Sequence, residues 1–115
     1  MVSGSRNWDL VGIVNQALLE EWVGPTRLIQ GAAQGADSIA KSYAFNRGWE
    51  VIDYRPNYTD YGKAATHIRN LEMVNQRPDV ALFFIRDMSN GTMTTLEKAV
   101  KARIKVRCFY YEDYL

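Results

Sequence analysis

The 115-residue sequence predicts a three-layer α/β fold: a doubly wound, Rossmann-like, mostly parallel sheet of about five strands with helices on both faces. Three observations carry that expectation. Strand-like and helix-like segments alternate along the chain. Residues 80–85 read Val-Ala-Leu-Phe-Phe-Ile without alternation, the pattern of a central parallel strand none of whose side chains meets water. Small, glycine-bearing loops stand where strand-like segments give way to helix-like ones.

Only Met1 and Val2 precede Ser3, so the first strand is short. Residues 9–22 carry Leu10, Val14, Ala17 and Leu18 at helical spacing, and Gly24-Pro25 then stops the helix. Leu28 and Ile29 centre a second strand that runs into Gly31-Ala32-Ala33-Gln34-Gly35-Ala36-Asp37. From Ala36, the recurrence of Ile39, Ala40, Tyr43 and Ala44 on one face predicts a second helix ending at Gly48. Residues 50–54 form a strand before Pro56, and residues 62–76 a third helix before Pro78. Beyond the apolar run, residues 92–102 place Met93, Leu96, Ala99 and Val100 on one stripe, and residues 105–110 supply the last strand. No repeat, linker or low-complexity stretch interrupts this order, and 47% hydrophobic content at this length is the expectation for one domain spanning residues 1–115.

A charge of +1, from 14 basic and 13 acidic residues, gives none of the broad positive field that marks binding to duplex nucleic acid. No apolar run approaches the ~20 residues that span a bilayer, and no leader pattern opens the chain, so no membrane partner and a cytoplasmic protein are expected. Cys108, the sole cysteine, sits in an apolar-leaning stretch and reads as an inert, buried small hydrophobe. His67 has no carboxylate or cysteine cluster around it in sequence, so neither a metal site nor a cofactor is expected.

In a parallel sheet, ligands sit at the carboxyl ends of strands, where helix starts present N–H groups. Three loops hold that position: Gly4-Ser5-Arg6-Asn7, Gly31 to Asp37, and Ser89-Asn90-Gly91-Thr92. Each joins small residues to a hydroxyl or a charged group, and a missing Cβ allows close backbone approach to phosphate oxygens. Any one of them is also an ordinary turn; three at equivalent positions point to a site. On the third helix Lys63, Thr66, Arg69, Asn70 and Met73 share one face, with Ala64, Ile68 and Leu71 opposite, which is also the pattern of a solvated face over a core stripe. Among the aromatics, Trp8 and Tyr58 stand beside these loops and are positioned to stack on a base; the others read as packing.

With Gly4-Ser5-Arg6 and Trp8, the segment from Gly31 to Asp37, Tyr61-Gly62-Lys63-Ala64-Ala65 leading to Arg69-Asn70 and Met73, and Gly91-Thr92, the chain resembles nearly end to end the YspA-like (cpYpsA-related) branch of the SLOG superfamily. These are small Rossmann-like proteins of bacteria and phages related to the LOG "lysine decarboxylase-like" proteins. The resemblance implies a nucleotide or nucleotide-derived ligand, held by Gly4, Ser5, Arg6, Trp8, Gly31, Ala32, Gly35, Asp37, Tyr58, Arg69, Asn70, Gly91 and Thr92. It also implies homo-oligomers, which are common among the relatives; Tyr110, Tyr111, Tyr114 and Leu115 form a tail suited to an interface or to capping the last strand.

The pattern departs from its relatives at points that bear on chemistry. LOG enzymes that cleave the ribose N-glycosidic bond carry a glutamate four residues after the glycine of Gly91-Thr92; here it is Thr95, which neither stabilises an oxocarbenium ion nor activates water well. Glu97 is the nearest replacement, turned ~200° away on the same helix, which leaves Arg69 and Glu97 as the candidates for catalysis. Asn57-Tyr58 stands where relatives have Asp-Trp, and Thr66-His67 where Gly-Pro is common. Three functions are compatible with these residues: a nucleotide-binding sensor or sequestering module, a hydrolase of a nucleotide N-glycosidic or phosphate bond, and a protein-interaction module without a small-molecule ligand.

Overall fold

The computed structural model describes residues 1–88 and 90–115, with Asn90 described by its backbone alone. The described residues form five strands and five helices in the order β1 Val2–Gly4, α1 Val11–Glu20, β2 Arg27–Gln30, α2 Ala36–Asn46, β3 Glu50–Asp53, α3 Tyr58–Tyr61, α4 Ala65–Asn75, β4 Val80–Ile85, α5 Asn90–Lys101 and β5 Lys105–Tyr110. Two 3-10 turns, Gly62–Ala64 and Tyr111–Tyr114, complete the order. The expected third helix over residues 62–76 opens as a 3-10 turn, Gly62–Ala64, before α4, and Gly62, at φ +52°, separates that turn from α3, because a left-handed residue cannot continue a right-handed helix. The last helix begins at Asn90, so Gly91 and Thr92 lie in its first turn rather than in a loop.

All strand pairs are parallel. The unalternating run is central, as its pattern predicts: β4 pairs with β1 on one side, Leu82 opposite Val2, and with β5 on the other, Phe84 opposite Phe109. β2 pairs with β3, Ile29 opposite Ile52. The expected single five-stranded sheet is instead a three-stranded sheet, β1-β4-β5, and a two-stranded one, β2-β3. The break falls at β1, whose three residues form a ladder with β4 only and offer too short an edge to register a second neighbour.

Side chains unite what the ladders divide. Leu82 and Phe84 point into a core with Val2, Leu28, Val14, Ala17 and Leu18 of α1, and Ala40, Tyr43 and Ala44 of α2. Ala81, Phe83 and Ile85 point the other way, into a core with Ile29, Met73 and Val74 of α4, and Ala99 of α5. Each core draws on both sheets, so helices cover the strand layer on both faces. Half-buried Cys108 packs in the second core, and burial pushes its thiol above the ordinary value. No described helix is long and apolar enough to cross a membrane.

Trp8, expected at the binding site, belongs to the first core. It is 2% exposed, its ring meets Phe84, Tyr111 and Tyr114 edge-on at 5.3, 5.4 and 6.4 Å, and its Nε1 donates to the Leu10 carbonyl at 3.1 Å. The C-terminal tail thus caps Trp8 through Tyr111 and Tyr114. Trp8→Ala should lower the unfolding free energy by about 3–5 kcal/mol, the usual cost of emptying a large aromatic site; urea titration reads the change, and a loss below about 1 kcal/mol would mean the ring is not packed as described.

Candidate functional site

A cleft of about 380 Å³ opens at the carboxyl ends of β1 and β4. Ser3, Gly4, Ser5, Arg6 and Asn7 form one wall, Ala33 and Asp37 a second, and Thr66, Arg69, Asn70 and Met73 of α4 a third; Asp87, Gly91 and Thr92 close it. Asp37 lies in the first turn of α2 and Gly91-Thr92 in that of α5, so the positive ends of two helix dipoles face the cleft. A larger opening of about 1000 Å³ lies at the other end, among strand starts such as Arg27, Glu50, Val80 and Lys105. There Glu21, Gly48 and Gln76 follow the ends of α1, α2 and α4, whose carbonyls make that opening unfavourable for an anion.

The loop from β2 to α2 is built around Gly31. Asp37 Oδ2 accepts the backbone N–H groups of Gly31 at 3.1 Å and Ala33 at 3.3 Å. From the opposite side, Arg69 Nη1 donates to the carbonyls of Gly31 and, at 3.1 Å, of Tyr54, while its Nε donates to Asn70 Oδ1 at 2.7 Å. A Cβ on Gly31 would run into the Arg69 guanidinium, so only glycine lets the two charged side chains close on this peptide. Ala32, at φ +58°, gives its N–H to Gln30 Oε1 at 2.6 Å.

Both charged residues are buried, Asp37 at 4% exposure and Arg69 at 6%. Asp37 Oδ1 is sealed from solvent and has no hydrogen-bond partner among the described residues. Burial pushes the Asp37 carboxyl up to about 6, against the pull of the Ala33 N–H and of Arg69. Burial likewise lowers the Arg69 guanidinium from its ordinary value, with Asp37 opposing.

Two further glycines serve the meeting of loops. Gly35 has φ +76°, and a Cβ there would meet the carbonyl oxygens of Ser5 and Arg6. A Cβ on Gly4 would stand 2.5 Å from the Phe84 carbonyl oxygen and 2.9 Å from Ala36 Cβ. The β1–α1 loop is then sewn to the end of β4: Ser5 Oγ accepts from Arg86 N at 2.9 Å and Asp87 N at 3.2 Å, and Asn7 Nδ2 donates to Asp87 Oδ2 at 2.7 Å. Arg6 is exposed, and its charge reaches Asp37, Arg69 and Tyr58.

The cleft wall therefore contains Gly4, Ser5, Arg6, Asp37, Arg69, Asn70, Gly91 and Thr92 of the residues expected from sequence. Gly31, Ala32 and Gly35 shape the wall from behind. Tyr58 is 57% exposed at the rim, its hydroxyl 3.5 Å from Thr66 Oγ1, and that hydroxyl, followed by Arg6, lowers its phenol from the ordinary value. Ser89 lies outside the described residues. Glu97 does not reach the cleft: it is exposed and faces Lys101 at 4.0 Å one helical turn on. Thr95 is buried, its hydroxyl donating to the Gly91 carbonyl at 2.8 Å. Of the expected stripe, Thr66, Arg69, Asn70 and Met73 line the cleft, with Arg69 and Met73 buried, while Lys63 is exposed in the turn before α4 and is not among the lining residues; of the expected core stripe opposite, Ala64 is exposed and Ile68 and Leu71 are only partly buried. Ser3 and Asp87 were not expected; Asp87 stands two residues beyond β4, where the carboxyl-end rule would have placed it.

Two substitutions separate these roles. Gly35→Ala should cost at least ~2 kcal/mol, combining left-handed strain with a backbone clash, whereas Gly91→Ala, with nothing within 4 Å of the new Cβ, should be neutral or stabilising by up to ~1 kcal/mol. Chemical denaturation of both variants checks this.

With Arg69 of α4 and Arg6 of the β1–α1 loop facing it, Asp37 titrates near 6 in the folded chain against an ordinary 3.8. The folded state holds this proton more tightly, so the stabilising contribution is complete below about pH 4 and is lost as pH rises through about 6. Asp37→Asn, which keeps an oxygen for the two loop N–H groups, should therefore gain on the wild type between pH 4 and 7, by about 3 kcal/mol at most. Urea unfolding at pH 4.5, 6 and 7.5 measures it, and equal pH slopes for the two proteins would refute it.

Comparison with known proteins bears on this cleft. The model of the YspA, cpYpsA-related SLOG family matches residues 1–61, a span that carries the first two loops and Asp37 and stops short of Arg69 and α5. The chain is also 36% identical to the "Gene 61 protein" of Mycobacterium phage D29, an alignment covering 92% of this chain and 91% of the phage protein. No solved structure matches.

Proposed function

Because the chain belongs to the YspA, cpYpsA-related SLOG family, we propose that its cleft binds a nucleotide or nucleotide-derived, phosphate-bearing ligand and that the protein acts as a sensor or sequestering module. The observation that carries the reading is the convergence on one cleft of an exposed cation, Arg6, with the first turns of α2 and α5. In this reading the phosphate lies toward Arg6 and the Gly91-Thr92 turn, the rest of the ligand lies along Asn70 and Met73, and Tyr58 at the rim covers the base. The cleft volume suits a nucleotide-sized molecule.

Binding is favoured over hydrolysis on one ground. Thr95 is spent on the Gly91 carbonyl and Glu97 on the exposed side of α5, so no carboxylate stands where a LOG-like reaction has its glutamate; the carboxylates the cleft does hold, Asp37 and Asp87, come from other elements and are engaged by the Gly31 and Ala33 N–H groups and by Asn7.

A thermal-shift panel of nucleoside mono-, di- and triphosphates, cyclic nucleotides and ADP-ribose tests the proposal. A true ligand at about 100 times its Kd adds ~2.7 kcal/mol, roughly 10 °C in a domain of this size. Arg6→Ala should raise that Kd by about 10- to 150-fold, the worth of a hydrogen bond to a charged group, without changing the melting temperature of the unliganded protein. Release of free base or phosphate from the ligand would convert the reading to an enzyme. No shift across the panel, from protein shown to be folded, would move it to a protein-interaction module.

A further inference from the structure

Resting on that reading of the cleft, we infer that Asp37 is its sugar-specificity residue, its Oδ1 accepting a hydrogen bond from a vicinal ribose hydroxyl. The carboxylate is split between two duties. Oδ2 is occupied by the N–H groups of Gly31 and Ala33, which fixes the side chain in one orientation. Oδ1, on a residue that is 4% exposed and part of the cleft wall, has no hydrogen-bond partner among the described residues. A buried polar oxygen left unpaired is costly, and a ligand donor at that point would relieve the cost.

The chemistry of that partner is constrained. An ionised carboxylate is acceptor-only and repels phosphate, so an anionic group does not seat against Asp37. Arg69 makes no hydrogen bond to Oδ1; its Nη1 and Nε bond the Gly31 and Tyr54 carbonyls and Asn70 instead. A neutral donor on a ligand whose charge lies elsewhere meets that need; a nucleotide carries such donors on its sugar and its base, and with the base assigned to Tyr58 at the rim and the phosphate to the Arg6 end, the sugar is the part left to face Asp37. Oδ1 presents almost no surface of its own, so the hydroxyl reaches it by a local shift of the cleft wall. A site built around such an acceptor rejects the analogue lacking the hydroxyl far better than an apolar pocket would.

The test is calorimetric and needs no variant for its first arm. Kd is measured for AMP, GMP, CMP and UMP and for their 2′-deoxy, 3′-deoxy and 2′,3′-dideoxy counterparts. The wild type should bind the ribonucleotide about 10- to 100-fold more tightly than its dideoxy form. Asp37→Asn, confirmed as folded by circular dichroism, should bring the two within about three-fold by weakening the ribonucleotide alone. Ribo and dideoxy forms bound within three-fold by the wild type would overturn the inference while leaving the cleft assignment standing. So would full ribose preference retained in Asp37→Asn, which places the acceptor elsewhere. If none of the four ribonucleotides binds, the reading of the cleft fails first and the inference with it.

Discussion

The peptide at Gly31 is gripped from both sides, its N–H by Asp37 and its carbonyl by Arg69. That grip links three parts of the chain that have no ladder in common: the end of β2, the first turn of α2, and α4. Because Arg69 also holds the Tyr54 carbonyl, the end of β3 is fixed to the same point. Two buried charges are expensive to maintain, and each is tolerable only because the other charge and several backbone dipoles answer it. The arrangement sets where the α2 N-terminus stands relative to the strand layer, and so sets the shape of the cleft.

Around that grip, glycine is used for proximity. Gly35 brings its loop against the carbonyls of Ser5 and Arg6, and Gly4 brings β1 against Phe84 and Ala36. The Ser5 hydroxyl then accepts two N–H groups from the turn after β4. Three loops distant in sequence become one rim on which Arg6 stands exposed. A small number of polar groups converging from several elements gives a cleft its specificity. The split of the strands into two sheets does not disturb this, since both cores run across the gap.

Much of the fold was legible because its signals are periodic or conformational. The run Val-Ala-Leu-Phe-Phe-Ile announces a strand buried on both faces, and β4 is flanked by β1 and β5 with a core on either side. The order of strands and helices follows from apolar spacing and from punctuation by glycine and proline. What sequence could not show is which partner each residue meets. Trp8 beside a glycine-rich loop looks like a base-stacking ring, yet it fills the space between Phe84 and the C-terminal tail. Arg69 on a polar stripe looks solvated or ligand-facing, yet it is buried against two carbonyls, of Gly31 just past β2 and Tyr54 just past β3, that only the folded chain brings within reach. Glycines read as phosphate-approach positions turn out, at Gly31 and Gly35, to admit protein atoms. The ladder break at β1 was equally hidden, since β-pairing depends on a length of edge that composition does not reveal.

Assigned amide NMR shifts, followed while AMP, GMP, CMP and UMP are titrated in turn into the wild type, test the location of the site most directly. Binding at the carboxyl-end cleft predicts that the moving resonances cluster at residues 4–7, 31–37, 69–70 and 91–92. Movement centred instead on Met1, Leu28, Trp49 and Gln76, around the larger opening at the strand starts, would contradict it, as would the absence of any response to all four nucleotides.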